Sequence, residues 1–462
     1  MSTSSSTELR RTLGFWDLVL LAMGTVIGSG IYLVPGLVLR QTGAQTGPAM
    51  VVWVAAGILT LLGGLTYAEL GAMKPEAGGL YAFIRDAFGP LSAFLYGWTS
   101  FFVIASGSVA TLAVAFSNYF SQIVPIGPVA ARLVALSVIL VTAVINIRGT
   151  RESANVQNLT TGLKVGALLV MGLALIAFGH PAQADVTSTW PTSITPSLLT
   201  GFGTAMIGVL WAYEGWQYVT FSAGETINPQ RTFPRAIAAA TAALVVTYLL
   251  VSYGYIAALG PTAAAQSDRV AADAVGVLLG PIAGKLVAAL ILVSIFSAAN
   301  GLLLTVPRLY FAMARDGVFF KRLAVVHPKF GTPATAVTAI ALWAAVLALS
   351  GTFEQLLTYV VFTAWIFYGM GGVAVMILRR KEPNAVRPFR VPGYPITPLL
   401  FVASAAVLVL NTVVAQPQRA ATGLAVVLIG TPAYFVWRSK SRRTSVLPSA
   451  APVERRDIDS VA

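Results

Sequence analysis

The sequence predicts an all-α polytopic membrane protein with twelve transmembrane helices, and three observations carry that expectation. Of 462 residues, 56% are hydrophobic and only 10% are charged, whereas a soluble domain is about 45–50% apolar and about 25% charged. Mean hydropathy is +0.78, and apolar runs of roughly 20 residues, long enough to cross the hydrocarbon layer as helices, recur from end to end. Glycines interrupt two of those runs at mid-depth, at residues 24–32 and 211–216. Together these exclude a soluble enzyme, a disordered chain and a disulfide scaffold.

In order, the spans cover approximately 14–40, 46–70, 89–119, 128–146, 155–178, 197–223, 234–259, 274–313, 332–350, 354–378, 397–416 and 420–438. The longest are expected to tilt or to extend past the bilayer. The polar opening MSTSSSTELRR has no A-x-A-type site after the first run, so span 1 reads as a retained helix rather than a signal peptide. The tails, residues 1–9 and 441–462, are Ser-, Ala- and charge-rich and are predicted to be disordered. The remainder, 10–440, is one membrane domain, because the longest loops (179–196, 314–331 and 379–396) are too short to fold separately.

Net charge is +13, which in a soluble protein would suggest nucleic acid. Here the positions of the charges matter more. With both termini on one side of the membrane, 25 of the 30 Lys and Arg residues fall on that side. Only Arg40, Arg132, Arg269, Lys285 and Arg419 fall on the other, a bias that predicts cytoplasmic termini and no nucleic-acid partner. Cysteine is absent, which excludes a thiolate metal site and any disulfide-linked partner, and the two histidines, His180 and His327, are far apart. No cofactor or metal is expected, and no G-x-S-x-G, H-E-x-x-H or Walker pattern suggests an enzyme. A repeated pore motif, which would suggest a channel, is missing too.

The two interruptions carry the functional reading. Span 1 contains Gly24-Thr25-Val26-Ile27-Gly28-Ser29-Gly30-Ile31-Tyr32, and span 6 contains Trp211-Ala212-Tyr213-Glu214-Gly215-Trp216. If the first ten helices form two five-helix halves, spans 1 and 6 occupy matching positions, the pattern of an inverted-repeat transporter with its site at the midplane. The halves would be 14–178 and 197–378, with 397–438 holding two further helices. An unwound helix exposes N–H and C=O groups that hydrocarbon cannot satisfy. The half-helix starting near Ser29 offers N–H groups and a positive dipole end, suited to a carboxylate. The half-helices ending near Val26 and Trp211 offer carbonyls, suited to an ammonium. Both groups on one carbon describe an amino acid. The alternative for Gly28-Ser29-Gly30 is close helix packing by small residues.

Glu214 is the one carboxylate placed near mid-membrane, where an ionisable group is expected to be functional. It could face a substrate ammonium, carry a proton, or serve as a structural partner. Lys164 lies about nine residues into span 5, roughly 14 Å deep. It either snorkels to the surface or acts as a fixed cation that replaces a bound sodium ion. Glu69 and Glu225, near helix ends, read as structural or gating residues. Trp98, Trp343, Trp365 and Trp437 read as core or interfacial residues. Trp211, Tyr213 and Trp216 flank the second break, and Trp211 could cap a ligand as a gate.

At these residues the chain resembles the amino acid–polyamine–organocation superfamily, in particular the bacterial side of its L-type amino acid transporter branch. The resemblance rests on the span 1 break, Tyr67-Ala68-Glu69-Leu70-Gly71 with Pro75-Glu76-Ala77-Gly78-Gly79, Phe88-Gly89-Pro90, and Leu95-Tyr96-Gly97-Trp98. It continues through Ala212-Tyr213-Glu214-Gly215-Trp216, Glu225, Asn228-Pro229, Pro234-Arg235-Ala236-Ile237, Arg308 to Gly317, His327-Pro328 and Phe389 to Pro395. It implies a LeuT-type 5+5 inverted repeat with broken helices 1 and 6, plus two helices. It also implies a substrate carboxylate on the backbone of Ser29, Gly30 and Ile31, and an amine near Val26, Trp211 and Glu214. Ile27, Gly28, Ala212, Tyr213, Gly215 and Trp216 complete that site, with Ser108 of the segment Gly107–Thr111 in the side-chain pocket. Lys164 matches the family's span 5 lysine, which implies sodium-independent transport, and Trp211 matches an aromatic gating position. The expectation is an exchanger of neutral L-amino acids working by alternating access in a prokaryotic plasma membrane. A cationic amino acid or polyamine transporter, proton-coupled through Glu214, is the alternative. Animal members of the branch use an external cysteine to hold a glycoprotein partner; lacking cysteine, this chain is expected to stand alone.

Overall fold

The chain folds into helices whose limits follow the hydropathy pattern within a few residues. A computed structural model describes residues 9–180, 189–350, 353–415 and 417–445. Span 1 forms two helices, α1 (Phe15–Val26) and α2 (Gly30–Gln41), bent by 54°. Span 2 is α3 (Thr46–Met73), followed by a short helix the hydropathy pattern does not mark, α4 (Leu80–Phe88). Span 3 joins α5 (Pro90–Thr99) to α6 (Ala105–Ile123) through one π-helical turn at Ser100–Ile104. Spans 4 and 5 are α7 (Pro128–Arg148) and α8 (Thr150–Phe178). Span 6 is α9 (Pro196–Ala212), a break, and a tighter 3-10 helix, Trp216–Glu225.

Span 7 is α10 (Pro229–Leu259), and α11 (Pro261–Gln266) is a single short turn after it. The long eighth apolar run is subdivided into α12 (Val270–Leu279), α13 (Ala283–Thr305) and α14 (Pro307–Arg315). Four helices close the chain: α15 (Ala334–Ser350), α16 (Phe353–Lys381), α17 (Ile396–Ala415) and α18 (Pro417–Ser445). Prolines open α5, α7, α9, α10 and α14, where a missing N–H costs nothing because no intrahelical acceptor exists for it. Of the predicted disordered tails, residues 1–8 and 446–462 lie outside the described residues, and α18 carries the chain on to Ser445.

Among the described residues, nine helical stretches are long and apolar enough to cross a membrane, and the bent α1–α2 pair makes a tenth. Leu133, Leu140, Val170, Leu173, Val407 and Leu410 are exposed on the outer helices. An apolar band of that kind is a surface for lipid rather than water, and the chain is a polytopic membrane protein. Inside the ring, α1 is enclosed by α8, α10 and α13, α2 lies on α9, and α6 lies on α13 and α16. These interior helices carry both breaks.

One end of the bundle is tied by ion pairs. Arg308 donates to both carboxylate oxygens of Glu225, at 2.9 Å to Oε1, and both side chains are buried. Thr150 donates to the same Oε1 at 2.7 Å. Thr12 and Leu13 donate backbone N–H groups to the Glu225 carbonyl at 2.8 and 3.0 Å, and Arg151 reaches Asp17 at 2.8 Å. Glu69 receives Arg379 and the Val391 N–H, the latter at 2.7 Å. Tyr81, on α4 outside the spans, donates to Asp316 at 2.8 Å. Burial, then that carboxylate, raises the Tyr81 pKa above its ordinary value, so the donor keeps its proton.

Removing one partner of a buried pair strands the other charge, a loss of about 3–5 kcal/mol. Glu225→Ala is therefore expected to lower the melting temperature in detergent clearly, and Glu225→Ala with Arg308→Met to recover much of it. Equal melting of Glu225→Ala and the parent would contradict a stabilising pair.

Candidate functional site

The two breaks meet. α1 stops at Val26, Ile27 turns to an extended conformation (φ −72°, ψ 91°), and α2 restarts at Gly30. In the other break α9 ends at Ala212, and Gly215 stands at φ +132°, a conformation open to glycine but strained for other residues. A Cβ at Gly215 would also press against the Thr25 backbone at 2.8 Å, and one at Gly30 would meet the Ala212 Cβ at 3.0 Å. Glycine at these two positions lets the broken segments touch. Thr25 Oγ1 lies 3.1 Å from the Gly215 carbonyl oxygen, sharing its one proton between that contact and carbonyls of its own preceding turn.

Most of the exposed backbone polarity is answered from neighbouring helices. Lys164 on α8 is fully buried and does not snorkel. Its Nζ donates to the carbonyls of Gly24 and Ile27, both at 2.7 Å. Tyr248 on α10 donates to the Ala212 carbonyl at 3.2 Å and lies 3.5 Å from that of Val26. The Val26 carbonyl also accepts the Gly28 N–H at 2.8 Å, and the Trp211 carbonyl accepts the Glu214 N–H at 3.0 Å. Each carbonyl oxygen has two lone pairs, so capacity remains there. At the start of α2 the first N–H groups have no acceptor within their own helix.

Between the breaks is a cavity of about 120 Å³. Of the residues singled out from the sequence, Val26, Gly28, Ser29, Gly30, Ser108, Trp211, Ala212, Glu214 and Gly215 line it. Ile27 and Ile31 have fully buried side chains away from it, so only their backbone is near. Tyr213 turns into the core, against Trp53 and Tyr248 at ring separations of 5.8 and 5.0 Å. Trp216 packs against Tyr67 and Phe401 at 5.1 and 5.9 Å. Successive residues around a turn point in different directions, so a contiguous motif cannot send every side chain to one ligand.

The remaining wall comes from Thr111, Leu112 and Ala115 on α6, Ala298 and Leu302 on α13, Tyr218 beyond the second break, and Val360 and Val361 on α16. Ser108, Leu112 and Ala115 form one face of α6 at helical spacing, a signal readable in the sequence. Glu214 is the only charged side chain on this wall among the described residues. Tyr368, on α16, donates to Glu214 Oε1 at 3.1 Å, and the Tyr218 hydroxyl lies 3.4 Å from that of Tyr368. Neither tyrosine was singled out from the sequence, and nothing local marks either one. No cluster of His, Cys, Asp and Glu among the described residues could hold a metal ion.

Lys164→Met keeps the length of the side chain but leaves two buried carbonyls without their donor, at about 1–3 kcal/mol each. Hydrogen exchange across residues 24–32 should quicken markedly in that variant. Unaltered exchange would mean that Lys164 does not hold the break.

Residues 13–434 match the family model described as amino acid permease. The serine/threonine exchanger SteT of Bacillus subtilis (strain 168) is 31% identical over 431 residues, covering 92% of this chain and 97% of that protein. The b(0,+)-type amino acid transporter 1 of Mus musculus is 31% identical over 419 residues, 89% of this chain and 84% of its own. The large neutral amino acids transporter small subunit 2 of Mus musculus is 31% identical over 457 residues, 96% and 84% respectively.

Proposed function

This chain belongs to the amino acid permease family, and on that premise we propose that it exchanges amino acids across a membrane by alternating access, with neutral L-amino acids as its main substrates. The observation that carries the site is the cavity bounded by both helix breaks. The N–H groups of Ser29, Gly30 and Ile31 receive the substrate carboxylate, aided by the positive end of α2. The free lone pairs near Val26 and Trp211 receive its ammonium. Trp211, half-buried on the cavity wall, closes over the ligand. Favourable contacts with both ends of the zwitterion stabilise the closed form over the open one.

The twelve-span count follows when α9 with the 3-10 helix and the 17-residue α15 are added to the ten stretches. On that count spans 1–5 and 6–10 are the two inverted halves, each opening with its broken helix. Both termini are cytoplasmic by the charge bias, and the membrane is the plasma membrane of a prokaryote. Lys164 brings a tethered amine donor to the carbonyls of the break, which supports transport without sodium. The absence of cysteine from the chain supports function without a disulfide-linked partner.

In proteoliposomes loaded with amino acid, uptake is expected to be trans-stimulated and indifferent to replacing sodium by choline. Gly30→Leu, which drives a side chain into Ala212 and the cavity, is expected to abolish that uptake while the protein still folds. Normal exchange by Gly30→Leu would refute the site.

A second reading is favoured by Glu214: a lone carboxylate on the wall suits substrates with a cationic side chain. Glu214→Gln is then expected to lose lysine or arginine transport while keeping leucine transport. Equal retention of both would leave Glu214 with a structural role.

A further inference from the structure

The corner where α18 leaves the bundle carries charges that the fold does not use. Four bases fall within six positions there, Arg438, Lys440, Arg442 and Arg443, and no acid occurs between Glu382 and Glu454. The apolar stretch of α18 ends at Arg438 while the helix runs on to Ser445, so these positions cover about two turns past the apolar stretch. A second basic segment lies against the same end. After α14 the chain forms a 3-10 turn, Lys321–Ala324, whose first two residues, Lys321 and Arg322, are exposed. None of Lys321, Arg322 and Arg438 has an acid partner among the described residues; Arg438 lies over the Tyr434 ring at 5.9 Å. The acid nearest to the turn in sequence, Asp316, is taken by Tyr81 and Arg85.

Aromatic rings join the two segments. Trp437 stacks on Phe319 at 5.7 Å and meets Phe320 edge-on at 5.1 Å. Phe320 is 54% exposed and Trp437 is half-buried, the placing of rings at the headgroup level of a bilayer. Earlier in α18, toward the middle of the span, Leu424, Leu428, Phe435 and Val436 present an exposed apolar face.

An occupant of this corner meets apolar surface at one end, interfacial rings in the middle and unpaired bases at the other end. A small soluble anion matches only the bases, and an uncharged lipid leaves them unanswered. We propose that the corner binds an anionic phospholipid, with its phosphate on Lys321, Arg322 and Arg438 and its acyl chains along Phe435 and Leu428. Each base near a charged membrane surface strengthens such binding about 5-fold. The lipid ties the end of α18 to the turn after α14. The proposal is independent of the amino acid site and of which leaflet the corner faces.

The test follows melting of the full chain in neutral detergent against added phosphatidylglycerol, phosphatidylcholine or inorganic phosphate. Phosphatidylglycerol alone is expected to raise the melting temperature, because a ligand of the folded state stabilises it. Lys321→Gln with Arg322→Gln and Arg438→Gln should raise the half-saturating phosphatidylglycerol concentration about 10- to 100-fold. Melting without lipid should stay unaltered in that variant, since exposed charges contribute little to the fold. Arg148→Gln with Arg231→Gln and Arg235→Gln removes the same charge from other exposed positions and is expected to leave lipid binding near the parent's. Equal weakening by both triple variants would mean general attraction and no site at this corner. Phosphatidylcholine or phosphate acting as well as phosphatidylglycerol would overturn recognition of an anionic lipid. A parent that responds to none of the three also overturns the proposal and leaves the corner to another occupant, such as the acidic residues Glu454, Asp457 and Asp459. Should the first triple variant not fold, Arg438→Gln alone decides: a shift of about 5-fold is expected, and no shift contradicts the site.

Discussion

The hold of Lys164 on the carbonyls of Gly24 and Ile27, at 2.7 Å each, is the contact on which the rest of the arrangement depends. Unwound backbone inside an apolar bundle is tolerable only where its polar groups are answered. Lys164 answers two of them from α8 and so fixes where α1 stops. With α1 ended there, Thr25 reaches Gly215, α2 can restart at Gly30, and the two breaks enclose a common cavity. A donor carried on a side chain stays in place at each turn of a cycle, unlike an ion drawn from solution. That difference is what ties Lys164 to the proposal of sodium independence.

The two ends of the bundle are held unequally. At one end Glu225–Arg308 links the 3-10 helix to α14, Asp17–Arg151 links α1 to α8 and Glu69–Arg379 links α3 to α16, with Glu225 and Arg308 wholly buried. At the other, Arg40–Asp268 has side chains 49% and 91% exposed, and an exposed pair contributes little. An alternating-access cycle would have to exchange this strongly tied end for a weakly tied one. Substrate contacts made by both broken helices are the natural source of the compensating free energy.

Much of this was legible in the sequence, for definable reasons. Span limits follow from apolar run length, and α3, α7 and α8 run within a few residues of their expected positions. Both breaks were marked by glycine, the second also by a mid-depth acid, and Lys164 by its depth. What was hidden depends on partners distant in sequence. Tyr368 is 154 residues from Glu214, and Tyr248 is 36 from Ala212; neither sits in a motif. The directions of Tyr213 and Trp216 depend on how the chain turns at Gly215, which hydropathy does not report. Helix α4 is unmarked in the hydropathy pattern because it is short and lies between two stronger apolar runs. Trp365 read as an ordinary core residue, since only three dimensions bring its N–H beside Gln217 and Glu214.

The central claim is that the two breaks read the carboxylate and the ammonium of one molecule together. Competition for exchange in proteoliposomes tests it most directly, using an L-amino acid, the amine that lacks its carboxylate and the acid that lacks its amine. Competition by the intact amino acid alone is the predicted result. Equal competition by either truncated compound would contradict recognition of both groups by the paired breaks.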